Sequence, residues 1–451
     1  MTRDDAQPTS SEPTDPATPS PVTSTVSPPS AARGVRGADG IEIRKVTEAE
    51  YPDWMRAIAV GFLSAPAVTE AEIEGRRGGI DFDRTLGAVD AGRYVATYRS
   101  FPQTLSVPGG TLPSHAVTNV TVSPTHRRRG LLSRMMTGDL AAAKEAGTPV
   151  STLVSAEYPI YGRFGYGPAA RATSWSVELS RTGLDSRWSG PRDGGRIDLV
   201  PLDEVRKTGP ELYTRFLARQ PGAVSRDERW WQLATGEIQV PSMPWNEPFW
   251  AAYRSASGEL EGMVAYSSDH KWDEAKQPDN TVTVEQLFTV SPEAERALWE
   301  YVCSLDWASR VRTEGRAPDD LLPDYLPDPR AARVRTHSDF LWLRILDVVR
   351  ALEGRTYGVA DSLVLEVRDG LGLAAGRFRL DGGPDGASCA PTGDAADLTL
   401  DAGELGALYL GDASAVRLAA LGSVREDRPG AAAAAELMFR TARRPWCPDV
   451  F

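Results

Sequence analysis

The sequence predicts an α/β protein of three successive units, the first two alike and the third of α+β type. Three observations predict it. Residues 41–180 read in the order β-α-β-β-β-α-β, as an α/β domain does. Thr121-Val122-Ser123-Pro124 recurs as Thr289-Val290-Ser291-Pro292 at the same point in a similar order of elements, which indicates a duplicated domain. The proline-rich stretch APDDLLPDYLPDPR at 317–330 has the composition of a linker before a last unit.

The elements follow in order. Residues 1–40 are rich in Pro, Ser and Thr, cannot bury enough apolar area to offset chain entropy, and are expected to form a disordered tail. The tail lacks the ~7–15-residue apolar core of a secretory signal. IEIRKV from Ile41 alternates as a strand does and runs into Thr47-x-x-Glu50, a capping box opening a helix to about Phe62. Strands are expected at 85–90, 93–107 and 116–122, with Pro108-Gly109-Gly110 as a turn. LLSRMMTGDLAAAKEAG reads as a helix closed by Gly147, VSTLVSAE (150–157) as a buried strand and ATSWSVEL (172–179) as the strand closing the first unit, 41–180. In the second unit, 181–337, IDLVPL is strand-like, GPELYTRFLARQ and RDERWWQLATGE are helical, and FWAAYR, GMVAYSS and TVTVEQLFTV are strands. In the third, 338–451, FLWLRILDVVRALEG reads as an apolar helix and SLVLEVRDG and GRFRLDG as paired strands. DLTLDAGELGALYLG reads as a strand and helix, and AAAAAELMFRTA as a late helix.

Composition narrows the function. Of 451 residues, 41% are hydrophobic and 25% charged, the proportions of a folded globular protein. Lys+Arg is 50 against Asp+Glu at 62, a net charge of −12. Such a surface repels phosphate backbones, so no nucleic-acid partner is expected; cationic substrates or basic peptides suit its field. No run approaches the ~20 apolar residues of a membrane span. Cys303, Cys389 and Cys447 lie far apart, which excludes a disulfide framework or zinc finger and fits a reducing cytosol, so a cytoplasmic location is expected. His115, His126, His270 and His337 are equally scattered, and no metal site is expected.

The informative segment is VTNVTVSPTHRRRGLL. A strand ending in Val120-Thr121-Val122 is followed by Pro124, three arginines, a glycine and a helix. A glycine-bearing turn at a helix start leaves backbone N–H groups pointing outward, and with the positive end of the helix dipole they form a site for a pyrophosphate. Arg127, Arg128 and Arg129 add charge, and Gly130 lets phosphates approach the backbone. Arginines at a helix N-terminus otherwise oppose its dipole, which counts against a merely solvated helix start. Registering TVSPTHRRRGLL on TVSPEAERALWE puts Arg127 on Glu295 and Gly130 on Leu298, so only the first copy is expected to hold an anionic cofactor.

RRRGLL resembles the acyl-CoA pyrophosphate loop of the GNAT N-acetyltransferases, [Q/R]-x-x-G-x-[G/A], with Leu132 departing from the small last residue. VTVSPTHRRRGLL with the later IYGRFGYG resembles, more specifically, the Eis (enhanced intracellular survival) acetyltransferases, over essentially all of 41–451. The resemblance implies tandem GNAT-like domains, the second degenerate, and a sterol-carrier-protein-like third domain. It implies acetyl-CoA as co-substrate. Val120, Thr121 and Val122 would pair with the pantetheine arm, an N–H there polarising the thioester carbonyl. Arg128, Arg129, Gly130, Leu131, Leu132 and Ser133 would wrap the pyrophosphate, and Ala156 and Glu157, at the end of the next strand, would flank the opposite side of the cofactor. Tyr161 would be the general acid to the CoA thiolate, its phenol being protonated at neutral pH. The terminal carboxylate of Phe451 would be the base for the amine, with the ring anchoring the tail and Arg443 and Arg444 orienting it.

Alternatives stand beside these roles. Tyr158 and Tyr166 are near enough to compete with Tyr161, Tyr166 reading better as packing. Glu157 is a possible general base or a structural strand end, and His126 a loop residue or a base. Asp449 is the second choice to the terminal carboxylate. Trp54, Trp230, Trp231, Trp245 and Trp250 read as core or interface. No Cys or Ser/His pairing suggests a covalent acyl-enzyme, so the amine is expected to attack the thioester directly. The acceptor implied is an aminoglycoside-like polyamine or a lysine side chain on a small molecule or peptide, and the assembly implied is a homohexamer. The competing reading is a non-catalytic acyl-CoA or lipid carrier using the first and third units.

Overall fold

A computed structural model describes residues 35–37, 39–185 and 187–451. Most of the expected disordered tail, residues 1–34 and 38, lies outside the described residues. β1 (Val35–Arg36) pairs antiparallel with β2 (Glu42–Lys45), so strand pairing starts ahead of Ile41. The capping box forms: the Thr47 N–H and hydroxyl donate to Glu50 at 3.3 and 2.7 Å, just before α1 (Tyr51–Gly61). A helix absent from the expectations, α2 (Glu70–Arg77), follows, capped by Thr69.

β3 (Thr85–Asp90), β4 (Arg93–Val107) and β5 (Gly110–Val122) form an antiparallel meander. β5 starts well before the expected 116, because Pro108 and Gly109 (φ +82°) alone make the turn between Val107 and Gly110. α3 (Leu131–Glu145) ends ahead of Gly147 (φ +80°), and β6 (Val150–Val154) returns parallel to β5. α4 (Tyr158–Tyr161) and β7 (Gly167–Glu178) complete the first unit.

The second unit comprises β8 (Arg196–Leu199), α5 (Leu202–Leu217), α6 (Glu228–Ala234), β9 (Phe249–Arg254), β10 (Leu260–Ser268), β11 (Asn280–Thr289), α7 (Pro292–Cys303) and β12 (Ala308–Thr313). α5 starts before Gly209 and carries Pro210 inside it. Again a strand, β11, leads to a helix and a parallel strand, β12. The proline-rich stretch holds α8 (Leu322–Tyr325).

The apolar helix expected at 340–354 is not one element. It is the end of a strand, β13 (Ala332–Ile345), and a short helix, α9 (Val348–Glu353), and the strand runs through the expected boundary at 338. Leu341–Ile345 are buried between β6 and β7, and a strand covered on both faces has the same unbroken apolar run as a buried helix. The last unit holds β14 (Asp361–Arg368), β15 (Gly376–Gly383), β16 (Gly386–Pro391), β17 (Leu398–Asp401), α10 (Ala402–Tyr409), α11 (Ala415–Ala420), β18 (Val424–Glu426) and α12 (Ala431–Phe439).

The strands of the described residues form two sheets. One has 13 strands in the order β1-β2-β3-β4-β5-β6-β13-β7-β12-β11-β10-β9-β8, so β13 and β7 join the two similar units edge to edge. The other has five, β16-β15-β14-β17-β18. Its interior is filled by Leu363, Leu365, Leu380, Leu398 and Leu400 against Leu405, Ala435 and Phe439. Among the described residues no helix is long and apolar enough to cross a membrane.

Candidate active site

The site begins where two parallel strands part. β5 and β6 pair from Ser114↔Val150 to Val117↔Leu153 and no further. Beyond that point β5 bulges against β4: its register shifts between Thr97 and Arg99, and Asn119 takes a left-handed φ of +52°. The Thr97 hydroxyl fixes the bulge by donating to the Asn119 carbonyl at 2.8 Å and meeting the Thr121 hydroxyl at 2.7 Å. Residues 118–122 thus keep one hydrogen-bonding edge on β4 while the edge toward β6 opens.

Into this opening points the start of α3. Arg128 (φ +65°) and Gly130 (φ +73°) turn the chain sharply into the helix. No side chain caps α3, and its first backbone bond within the chain is Arg134 N–H to the Gly130 carbonyl. The N–H groups of Leu131, Leu132 and Ser133 therefore have no intrahelical acceptor. A methyl placed on Gly130 would meet open space on every side within 4 Å. This chemistry suits a pyrophosphate: free N–H donors, a dipole end, exposed arginines and a backbone left bare.

Strand split and helix start enclose a cavity of about 350 Å³. Val120, Thr121, Val122, Arg128, Gly130, Leu131, Leu132, Ser133, Ala156, Glu157 and Tyr161 all line it, as do Arg127 and His126. Of the expected cofactor contacts only Arg129 is outside the lining. A hydrogen bond from His126 and, behind it, the charge of Arg129 hold the Asp90 carboxyl below its ordinary pKa. His126 is committed to this loop, bonded to Asp90 at 3.0 Å and to Thr125 at 2.8 Å. Gly61, Phe62, Ile160 and Arg163 complete the wall. Gly61 and Phe62 belong to no motif: a Cβ on Gly61 would collide with Thr121, so the glycine is a packing requirement visible only in three dimensions.

The three tyrosines separate. Tyr161 is buried beside the cavity, and burial, with Glu157 adding its charge, pushes its phenol pKa up to about 12. Tyr166 lies behind it, edge-on at 6.2 Å, bonded to the Ser151 hydroxyl at 2.6 Å. Tyr158 is 62% exposed and packs on Trp342 at 5.0 Å, facing another cavity. The cysteines are all buried, their pKa values raised by burial, and none lines the site.

The C-terminal tail crosses the second unit and returns to the first. Trp446 donates from its indole to the Gly315 carbonyl at 2.9 Å, and Phe451 stands edge-on to Phe101 of β4 at 5.9 Å. Asp449 is engaged elsewhere: it pairs with Arg226 at 2.9 Å and accepts from Tyr213 at 2.9 Å, while Tyr213 and Trp230 clasp the Arg226 guanidinium at 3.9 and 3.6 Å. Arg443 and Arg444 do not orient the terminal carboxylate as expected. Arg443 pairs with Glu295 at 2.8 Å and Arg444 with Asp412 at 2.5 Å. Of the tryptophans, Trp54, Trp231 and Trp250 are buried, Trp54 also lining a second cavity described below.

In the second unit β11 and β12 also part, pairing no further than Val284↔Thr313, beside a smaller cavity of about 260 Å³ lined by Leu287, Phe288, Thr289 and Arg316. α7 follows β11 after Val290 and Ser291 only, whereas residues 123–130 separate β5 from α3. The ungapped register of the two copies therefore fails: Gly130 caps a helix, and Leu298 lies fully buried in the middle of one. Arg316 occupies part of this crossing, donating to the Leu287 carbonyl at 2.6 Å, pairing with Asp320 at 2.8 Å and stacking on Trp446 at 4.5 Å.

Comparison with known proteins matches these units. Residues 42–169 and 222–345 each match a family model described as an acetyltransferase (GNAT) domain, and 348–448 one described as a sterol carrier protein domain. An uncharacterised N-acetyltransferase of Streptomyces avermitilis is 62% identical over 92% of this chain and 99% of its own. The N-acetyltransferase Eis of Mycobacterium tuberculosis is 36% identical over 71% of this chain and 77% of its own. The chain belongs to the Eis family of GNAT acetyltransferases. The crystal structure of Eis1 from Mycobacterium abscessus superposes with a TM-score of 0.76 at 30% identity, covering 91% of this chain and all of that one. Within the Eis architecture this chain is an acetyltransferase with two GNAT domains and a sterol-carrier-like domain.

Proposed function

We propose that the chain transfers the acetyl group of acetyl-CoA to a primary amine with both substrates bound together. The observation that carries this reading is the 350 Å³ cavity, which joins an uncapped helix start, an unpaired strand edge and a buried tyrosine. Acetyl-CoA would supply the activated thioester. The N–H groups of Leu131, Leu132 and Ser133, with Arg128, hold its pyrophosphate, and the free edge of Val120–Val122 pairs with its pantetheine and polarises the carbonyl. Ala156 and Glu157 bound the other side. Attack by the neutral amine nitrogen forms the C–N bond and breaks the C–S bond. The sulfur takes the Tyr161 proton, and the amine proton passes to the Phe451 carboxylate. A phenol whose pKa is near 12 stays protonated at any physiological pH and so is always ready to donate.

The net charge of −12 favours amines that arrive as ammonium ions, such as aminoglycoside-like polyamines or lysine side chains. The family assignment supports a homohexamer in the cytoplasm; light scattering at the monomer mass would remove the hexamer. Incubation with acetyl-CoA, a thiol reagent and a panel of amines tests the activity. CoA release with at least one amine is expected, and none across the panel overturns the reading.

A further inference from the structure

A second cavity, about 710 Å³, adjoins the first through Phe62, which lines both, and through the β5 bulge, where Asn119 faces it and Val120 the first. It lies between α1 and α2 of the first unit and residues 227–243 of the second. Phe101, the ring against Phe451, is in its wall. Its surface is apolar at Trp54, Ile58, Phe62, Val240 and Met243. Its charges are not those of a site for a simple cation. Glu72 is spent on Arg76 and on the hydroxyl and N–H of Ser242, at 2.5 and 2.9 Å. Asp227 caps α6 by accepting from the Trp230 N–H at 2.8 Å. Arg99 and Arg229 remain, with no carboxylate bonded to either among the described residues. Each donates to a carbonyl in or just past the last turn of α2, Arg99 to Gly79 and Arg229 to Gly75. A guanidinium has five donors, and the buried Nε of Arg99 has no partner among the described residues. Two guanidinium groups sharing one cavity wall repel each other, and an oxyanion between them relieves that repulsion.

Resting on the acetyl-transfer reading, we propose that the acceptor is an amine that also bears a carboxylate, held by Arg99 and Arg229 while its apolar body fills the second cavity. The overall negative field then draws in the ammonium group and the local pair of arginines orients the acid.

The test is a ratio. Matched pairs differing only in the carboxylate (tryptophan and tryptamine, phenylalanine and phenethylamine, lysine and cadaverine) are assayed on the full chain with acetyl-CoA. At least one acid is expected to exceed its amine about tenfold in kcat/KM, the scale of a charge-assisted hydrogen bond. Arg99→Gln should cut that acid-to-amine ratio about tenfold, with Arg99→Lys in between. Both substrates meet the same preparation, so loss of folded enzyme cancels from the ratio. A wild-type preference for the decarboxylated members overturns the inference. So does a ratio unmoved by Arg99→Gln and Arg229→Gln, which would leave the arginines as caps of α2 alone. Turnover of other amines with every acid refused also overturns it and leaves acetyl transfer standing. No turnover of any amine overturns acetyl transfer itself.

Discussion

In the first GNAT unit, residues 123–130 carry the chain from β5 into α3 by way of two left-handed residues, Arg128 and Gly130. In the second, Val290 and Ser291 do the same work, and Ser291 caps α7 by accepting from the Ala294 N–H at 3.2 Å. The first helix start thus leaves its donors without a capping side chain, while the second has spent one on its own chain and adds Glu293 and Glu295 in its first turn, which disfavour an anion there. The strands differ in the same sense. The β5 edge opens onto a cavity of about 350 Å³, whereas the end of β11 borders one of about 260 Å³ in which the Leu287 carbonyl is taken by Arg316, itself stacked on Trp446 of the C-terminal tail. The two units share one fold. A longer loop leaves the first helix start uncapped beside its cavity, and in the second a shorter loop, a serine cap and an internal arginine take up the corresponding groups.

The comparison breaks most sharply at Gly130. Gly130→Glu puts a carboxylate where the pyrophosphate belongs and forces a side chain to a φ of +73°, so acetyl-CoA binding by calorimetry should be lost. In the second unit Leu298→Ala should leave the dissociation constant for acetyl-CoA unchanged while lowering Tm, since a buried leucine truncation costs about 2–5 kcal/mol. Equal weakening of acetyl-CoA binding by both would mean that both units bind it.

Tyr161→Phe comes next. It should lower kcat about 10²–10⁴-fold with acetyl-CoA affinity nearly unchanged. The wild-type kcat should have no falling limb below about pH 11, because the donor is the protonated phenol and burial has raised its pKa to about 12. Raising the pKa moves deprotonation, and the activity lost with it, to higher pH. A falling limb near pH 9–10 would assign the donor to a less buried group.

The tail sharpens the contrast further, since it lines the smaller cavity of the second unit and reaches Phe101 of the first. A short C-terminal extension should depress the acetylation rate by masking the Phe451 carboxylate. Asp449→Ala should instead act on stability, because it strands the Arg226 charge in a buried aromatic clasp, a change that costs about 3–5 kcal/mol. Wild-type rates in the extended protein would move the base to another group. The smallest effect is expected from Ser291→Ala, about 1 kcal/mol of stability from a lost helix cap and no change in acetyl-CoA binding.

Elements with local signals could be read from neighbouring residues alone. The Thr47–Glu50 box, the Pro108-Gly109 turn, the stop at Gly147 and the glycine turn into α3 each rest on the chemistry of a few adjacent residues. The apolar run at 340–345 carries no such signal, since burial on both faces erases the periodicity that separates strand from helix. Its place between β6 and β7 was set by two strands far away in the chain. The β5 end and the α3 start of the first cavity were legible because phosphate chemistry needs a contiguous loop, strand end and helix start, whereas Ala156, Glu157 and Tyr161 were reached only through the family resemblance. Gly61, Phe62 and the arginines of the second cavity were not legible, because α1, α2, β4 and α6 bring them together from separate parts of the chain. The partners of Asp449, Arg443 and Arg444 were likewise decided by tertiary structure. A carboxylate or guanidinium has no sequence-local preference strong enough to name its counter-charge, and only packing removes the water that would otherwise serve as well.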